Sequence, residues 1–458
     1  MKTLLAAGAV VLAGAIAAGA QEVPVPVPPL LAHPEAPGAP PVTITLQDAL
    51  QRARQNETQF QAIVADAAVA REDRVQAKAG LLPAFSATTQ YLGNQATPGN
   101  VNPNGRFVSM DGVNMYRAWA VMRQDLSPGV FMRTPLHKAE AAEAMAAARL
   151  EIAQRGLAVT VTRNYYGLVA AQRKYATAQL AAQQAARFLE NVSRQEQLGQ
   201  VARSDVLKAD IQHETQQQGF REATLAMDNA RLALAVLLSP TLDENFSVVD
   251  DLQAAPALPP FGDIRTMAER DNPDLRLAGE TLRAAGQDVR TAKNAFLPSL
   301  VVDAVYGIEA NEFALHSRIA AQPELGVLPN LGYFVTVNLS VPLWDWGGLR
   351  SKLHQSETRE RQAQTTLSQT QRQLVSNLYS KYNETLIART STDNLRRIVD
   401  LASESLRLLV LRYQAGESTI LEVVDGQNTL VQARNAADDA ETRYRVALAD
   451  LQTLTGPF

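Results

Sequence analysis

Tyr333-Phe334-Val335-Thr336-Val337-Asn338-Leu339-Ser340-Val341 alternates along its length, with Tyr, Val, Val, Leu and Val at odd positions and Thr, Asn and Ser at positions 336, 338 and 340. A period of two belongs to a β-strand, whose successive side chains point to opposite faces. One face of this strand suits hydrocarbon and the other a wet interior. Its length matches the roughly 9–11 residues of a membrane-spanning barrel strand. Three weaker stretches share the pattern. Phe85, Ala87, Thr89 and Tyr91 alternate with Ser86, Thr88 and Gln90; Tyr116, Ala118, Ala120 and Met122 with Arg117, Trp119, Val121 and Arg123; and Leu300, Val302, Ala304 and Tyr306 with Val301, Asp303 and Val305. A soluble, half-buried sheet would alternate in the same way, so the rest of the chain has to choose between the two.

The N-terminus favours the membrane. Met1-Lys2 is followed by small and apolar residues through Ala20, with Ala18-Gly19-Ala20 before Gln21, which is the charge, length and cleavage chemistry of a signal peptide over residues 1–20. Beyond it no stretch reaches the roughly 20 apolar residues of a helical span, so entry into a membrane would have to use strands. The 458 residues contain no cysteine, which excludes disulfides, thiolate metal sites and a lipid anchor on cysteine. A formal charge of -4 gives no sign of nucleic-acid binding. Aromatic residues make up only 6% while Ala and Gln fill long tracts, which favours close-packed helices over a thick core.

After an extended Pro/Ala-rich lead-in over residues 21–42, one plan occurs twice, in residues 43–249 and 261–458, joined by a linker at 250–260. Leu81-Leu82-Pro83 and Phe296-Leu297-Pro298 stop matching helical segments 215 positions apart (298 - 83), and Gly199 and Gly416 break later helices 217 apart (416 - 199). Near-constant separation over such a distance indicates a duplicated unit. Each half is expected to run helix, strand, loop, strand, very long helix, turn, helix. The long helices span Thr134–Leu198 and Leu349–Ala415, free of interior proline, and each could reach about 100 Å. Their partners span Ser204–Leu238 and Thr419–Leu454. Loops at Gly93–Asn114 and Gly307–Asn330 should face outward, because the long helices leave from the opposite strand ends. An apolar rhythm of three to four residues supports side-by-side packing, and a long coiled coil without any channel would share it.

Four strands cannot close a barrel, whose smallest ordinary version has eight. Open edges cannot stay in hydrocarbon, where each exposed backbone group loses a hydrogen bond. The chain is therefore expected to be an obligate oligomer; strand physics alone does not choose among two, three or four copies.

Ile44-Thr45-Leu46-Gln47-Asp48-Ala49-Leu50, the paired Leu-Pro stops, Val341-Pro342-Leu343-Trp344-Asp345-Trp346-Gly347-Gly348, and Arg412-Tyr413-Gln414-Ala415-Gly416 leading to Ile420-Leu421-Glu422-Val423-Val424-Asp425 together resemble the TolC family of outer-membrane efflux proteins over residues 43–456. The resemblance implies a mixed α/β membrane protein: a trimeric, 12-stranded β-barrel with four strands per subunit, continuing into a periplasmic α-helical barrel. It implies docking to a periplasmic adaptor and an inner-membrane transporter, which supplies the energy. One departure is Leu126-Ser127-Pro128-Gly129-Val130-Phe131, which lacks the Trp-Asp-Trp-Gly-Gly form of the second half and leaves that helix start open.

The resemblance also implies a periplasmic aperture. Glu422 and Asp425 match acidic positions that ring the closed end, and i, i+3 spacing puts both on one helix face. Such rings favour cations; a solvated acidic helix start is the alternative. Tyr413 matches a position that ties neighbouring helices shut, with Arg412 beside it. Ser418 stands where a basic aperture residue is expected, and Asp205 could cap or link the equivalent turn. Gly199 and Gly416 should supply the left-handed backbone of the two turns. Trp344 and Trp346 are candidate anchors in outer-membrane lipid. No catalytic constellation, cofactor or metal site is expected: His33, His137, His213, His316 and His354 are scattered and no phosphate-binding loop occurs. The expected function is a passive exit duct for small molecules, with type I protein secretion and a structural periplasmic coiled coil as the alternatives.

Overall fold

The computed structural model describes residues 41–93, 114–240, 245–253, 256–310 and 330–457. The signal peptide, nearly all of the lead-in and most of the two outward loops lie outside the described residues. Strand β1 (Val42–Ile44) leads into α1 (Leu46–Asn56) and α2 (Thr58–Ala79), then β2 (Ala84–Gly93) and β3 (Asn114–Asp125). A short α3 (Pro128–Phe131) precedes the 64-residue α4 (Thr134–Gln197), which turns into α5 (Arg203–Leu238) and β4 (Phe246–Val248). The second half runs α6 (Phe261–Asp271), α7 (Pro273–Asn294), β5 (Ser299–Ala310), β6 (Leu331–Ser340), the 67-residue α8 (Gly348–Gln414) and α9 (Ile420–Thr455).

The first helix expected in each half is two helices. Thr45 caps α1 through a reciprocal box in which Asp48 N–H reaches Thr45 Oγ1 at 3.2 Å and Thr45 N–H reaches Asp48 Oδ2 at 3.1 Å. Glu57 ends α1 in extended backbone and caps α2, and Asn272 does the same between α6 and α7, its Oδ1 accepting the Leu275 N–H at 3.0 Å with Pro273 next in line. The breaks occur where a polar cap residue competes with the helix for the same backbone donors.

Strands β2, β3, β5 and β6 form one antiparallel sheet in that order. Its register places Phe85 beside Met122, Met122 beside Ala304 and Ala304 beside Val335. All four apolar sets therefore share one face. Opposite them, Arg123, Asp303 and Thr336 align, as do Arg117 and Glu309. Arg117 lies 2.8 Å from Glu309 and accompanies Gln90 at 3.3 Å, and Arg123 sits 3.8 Å from Asp303. Strands β2 and β6 are the two edges, and neither outer edge has a partner strand among the described residues.

The helices repeat this open-edged arrangement. Next to the sheet the packing order is α2, α4, α7, α8, and toward the Gly199 and Gly416 turns it is α5, α4, α9, α8. Small residues allow the approach: Gly426, Ala433, Ala440 and Ala447 are buried on α9 at intervals of seven, as are Leu378, Thr385 and Thr392 on α8. A seven-residue repeat is shorter than two full helical turns and imposes left-handed supercoiling. A Cβ on Gly426 would come within 2.9 Å of Leu409 Cδ1.

A collar halfway along holds the largest buried cluster among the described residues. The parallel pair β1 and β4 and helix α1 pack with Val161, Tyr165, Leu168, Val169 and Leu234. Tyr165 is fully buried; its hydroxyl lies 2.9 Å from the Val249 carbonyl and accepts the Val249 N–H at 3.0 Å, and burial pushes its pKa up to about 12. The linker does not run free. Leu252 is buried in this core and Asp250 is held by Arg173 at 2.6 Å.

Candidate aperture and membrane junction

The sequence-derived site residues fall into two groups at opposite ends of α8, about 100 Å apart for a helix of this length. At the far end, both turns adopt the left-handed backbone expected of them, with φ 72° at Gly199 and 76° at Gly416. The two hairpins pack tip to tip: Val192, Val206, Ala209 and Ile420 are buried together, with Phe188, Tyr413 and Val424 against them.

Tyr413 is half-buried there. Its ring lies 5.7 Å from that of Phe188 and its hydroxyl 3.5 Å from Gln195 Oε1, so it ties α8 to α4 within the chain. Burial, with the Asp205 charge nearby, raises its pKa. Gln212 and Gln216 of α5 donate to Asn428 Oδ1 of α9 at 2.9 and 3.0 Å, a second tie between hairpins.

Glu422 is exposed and bound locally: Ser418 Oγ donates to Oε2 at 2.7 Å and Thr419 Oγ1 sits 3.2 Å from Oε1. These hydroxyls, Ser418 first, hold the carboxyl below its ordinary range, so Glu422 is anionic at neutral pH. Ser418, at the position where the family resemblance leads one to expect a basic residue, thus orients Glu422 through a hydrogen bond. Asp425, one turn on, is exposed and has no hydrogen bond or ion pair among the described residues. Arg412 donates to the Glu417 carbonyl at 3.1 Å and does not reach Glu422 in a salt bridge. Asp205 does not cap α5, whose N-cap is Ala202; it lies 3.4 Å from Lys208. Thr419 was missed although Thr-x-x-Glu spacing marks a helix start. The glutamine and asparagine ties carry no periodic signal and could not have been found.

At the sheet end, Trp344 is 77% and Trp346 89% exposed, with ring centroids 5.7 Å apart. Asp345 between them caps α8, accepting the Gly347 N–H at 3.1 Å and the Leu349 N–H. That cap puts Trp346 in left-handed backbone at φ 57°. Arg133, the N-cap of α4, is likewise left-handed at φ 51°, as is Gly347, the N-cap of α8, at φ 88°, so both long helices start through a left-handed corner.

Among the described residues no helix is long and apolar enough to cross a membrane. A sheet with one apolar face, unpaired edges and two tiers of helices below it defines one staff of a membrane channel wall. A model of the outer membrane efflux protein family matches residues 49–239 and 265–457, and the chain belongs to that family. The chain is 22% identical over 418 residues to the outer membrane protein TolC of Escherichia coli, covering 90% of this chain and 82% of TolC. It is 29% identical over 193 residues to the pyoverdine export outer membrane protein OpmQ of Pseudomonas aeruginosa, covering 41% and 36%. Its fold matches the open state of the MtrE outer membrane channel of Neisseria gonorrhoeae with a TM-score of 0.74 at 20% identity, covering 90% and 88%. The chain is an outer-membrane channel subunit of a tripartite efflux or secretion system, and a conduit rather than an enzyme.

Proposed function

We propose that three copies close into a 12-stranded barrel and a helical tunnel, and that this duct passes small molecules handed over by an inner-membrane transporter and a periplasmic adaptor. The unpaired edges of the four-stranded sheet carry this reading. Edge β6 of one copy would pair with edge β2 of the next, and α8 would pack on the neighbour's α2 and α5. Those helices expose Ile387, Leu401, Ile211 and Val236, among others, for the purpose. A head-to-tail contact of this kind closes into a ring. We read residues 43–249 and 261–458 as two copies of one unit, so that three chains make a pseudo-sixfold tunnel.

The hairpin tips form the aperture in this reading. Glu422 and Asp425 from three copies ring the axis, Gly199 and Gly416 set the turns, Tyr413 and Ser418 hold the tips in position, and Asp205 adds negative charge beside Tyr413. Adaptor docking would part the tips by exchanging one packing for another. At the other end Trp344 and Trp346 anchor the barrel at the periplasmic membrane interface. The match to a pyoverdine export protein supports a small-molecule cargo.

The test is conductance of the purified oligomer in a planar bilayer, with native mass fixing its stoichiometry. Wild type is expected to be a trimer whose openings favour cations, and Glu422→Gln/Asp425→Asn is expected to lose most of that preference. Unchanged selectivity would move the filter elsewhere. A closed assembly other than three would overturn the barrel reading, and protein rather than small-molecule export on restoring the system in cells would overturn the cargo.

A further inference from the structure

At the periplasmic end of the sheet the chain crosses between strand and helix four times, and every crossing exposes large apolar side chains. They are Leu82, Phe131 with Met132, Phe296 with Leu297, and Leu343 with Trp344 and Trp346. The crossings lie at one level, because the register aligns Ala84 with Arg123, Asp125 with Val301 and Ser299 with Ser340. The helices leaving them are cross-tied at the same height, Asn294 to Thr134 at 3.2 Å and Lys138 to Asp288 at 2.6 Å.

The charge just beyond this apolar belt is one-sided. Residues 74–80, 133–139, 288–294 and 348–354 contain eight Lys and Arg and a single acid, Asp288, which is paired with Lys138. Lys78, Arg133, Arg290, Lys293, Arg350 and Lys352 are all exposed and have no side-chain hydrogen bond or ion pair among the described residues. The acids at the crossings themselves are engaged in turns, Asp125 on Ser127 N–H at 2.8 Å and Asp345 on the start of α8.

Helix dipoles explain part of the pattern and oppose the rest. Lys78 and Lys293 close α2 and α7, where a cation is favourable. Arg133 and Arg350 stand at the starts of α4 and α8, where it is not. Helices α1, α5, α6, α7 and α9 carry an acid in the first turn, whereas α4 and α8 carry none. Neither Arg133 nor Arg350 has an ion-pair partner among the described residues.

We propose that the four crossings form a cationic collar that holds anionic phospholipid headgroups of the periplasmic leaflet, with the apolar belt seated just above them. The inference rests on the barrel reading, since it needs the apolar sheet face in hydrocarbon. Seven helical residues extend about 10 Å, and the headgroup zone is roughly 5–8 Å deep on each side of the hydrocarbon. The collar therefore starts at headgroup depth and extends a few Å beyond it. Its chemistry suits a phosphodiester: guanidinium and ammonium donors for the charge, and indoles for the glycerol region.

The experiment is mass-spectrometric analysis of lipid retained by the oligomer after reconstitution in phosphatidylethanolamine bilayers containing a minority of phosphatidylglycerol. Wild type is expected to enrich phosphatidylglycerol several-fold over the bulk, and to lose the enrichment between about 0.05 and about 0.5 M salt as screening shortens. One basic residue near an anionic surface strengthens attraction roughly fivefold. Arg133→Gln/Lys293→Gln/Arg350→Gln/Lys352→Gln is thus expected to bring enrichment close to unity while the oligomer still inserts, and Lys293→Arg/Lys352→Arg to preserve it. Wild type that inserts without anionic preference, or a preference indifferent to salt, would overturn the collar alone. Wild type that inserts into neither pure phosphatidylethanolamine nor the mixture would overturn the barrel reading as well.

Discussion

Val335→Lys is expected to abolish the assembled oligomer in outer-membrane fractions, while Thr336→Lys, one residue further on, is expected to leave it intact. The two side chains point to opposite faces of β6. Val335 continues the apolar row Phe85, Met122 and Ala304, near the middle of the strand, whereas Thr336 faces Asp303 and Arg123. A lysine on the lipid face near mid-bilayer costs about 2–4 kcal/mol. In the proposed trimer that becomes about 6–12 kcal/mol per assembly, comparable to the about 5–15 kcal/mol that holds a folded protein together. A lysine at 336 meets water and the Asp303 carboxylate, one oxygen of which lacks a hydrogen bond. The measurement is the yield of heat-resistant oligomer from outer-membrane fractions. Equal tolerance of both substitutions would sink the assignment of faces.

That contrast rests on the feature of the fold most legible in the sequence. Strand alternation survives translation into structure because a one-residue slip would put every apolar side chain on the wrong face, and the four strands were located to within a few residues. The long helices were equally plain, since Pro-free Ala/Gln/Leu tracts have no competing conformation, and both turns fell where glycine alone relaxes a left-handed corner. The sheet of β1 and β4 was invisible. Its three-residue strands, Val42–Ile44 and Phe246–Val248, are about two hundred positions apart and show no period. The caps at Glu57 and Asn272 were missed because apolar spacing continues on either side of them. At the hairpin tips, residue types marked positions but not their contacts. Ser418 looked like a missing cation and is a donor to Glu422, and Arg412, beside Tyr413, binds the Glu417 carbonyl. Contacts between side chains on separate helices depend on rotation of one helix about another, which composition does not encode.

Arg173→Leu is expected to cause the largest loss of stability among the helical substitutions. Arg173, on α4, reaches Asp250 of the connecting segment at 2.6 and 2.7 Å, and Glu441 and Asp438 of α9 at 2.8 and 3.2 Å, while Arg396 of α8 shares Glu441 at 2.7 Å. One guanidinium thus joins both halves of the chain, through a carboxylate, Glu441, that is only 4% exposed. Its planar fork of five donors suits several carboxylates at once. Removing one partner of a buried pair strands the others and costs about 3–5 kcal/mol, whereas breaking the exposed Arg407–Glu404 pair is expected to leave stability nearly unchanged. Thermal unfolding of the helical signal in detergent distinguishes them, and comparable losses would refute a special role for Arg173. The dependence on pH follows from the same contacts. Burial raises the pKa of Asp438 despite Arg173, so its protonation on acidification relieves a cost of folding. Burial would also raise Asp250, but hydrogen bonds from Arg173 outweigh it and hold that pKa below the ordinary range. The stability Asp250 contributes is therefore present above the unfolded-state pKa of about 3.9 and is lost only as pH falls through its lower folded value. In Arg173→Leu, Asp438 and Asp250 lose the guanidinium contacts that favour their charged forms, so acid should weaken the variant less than it weakens wild type. The difference in melting temperature between the two proteins is expected to narrow as pH falls through the carboxylate range, and a constant difference would show that Arg173 acts through packing alone.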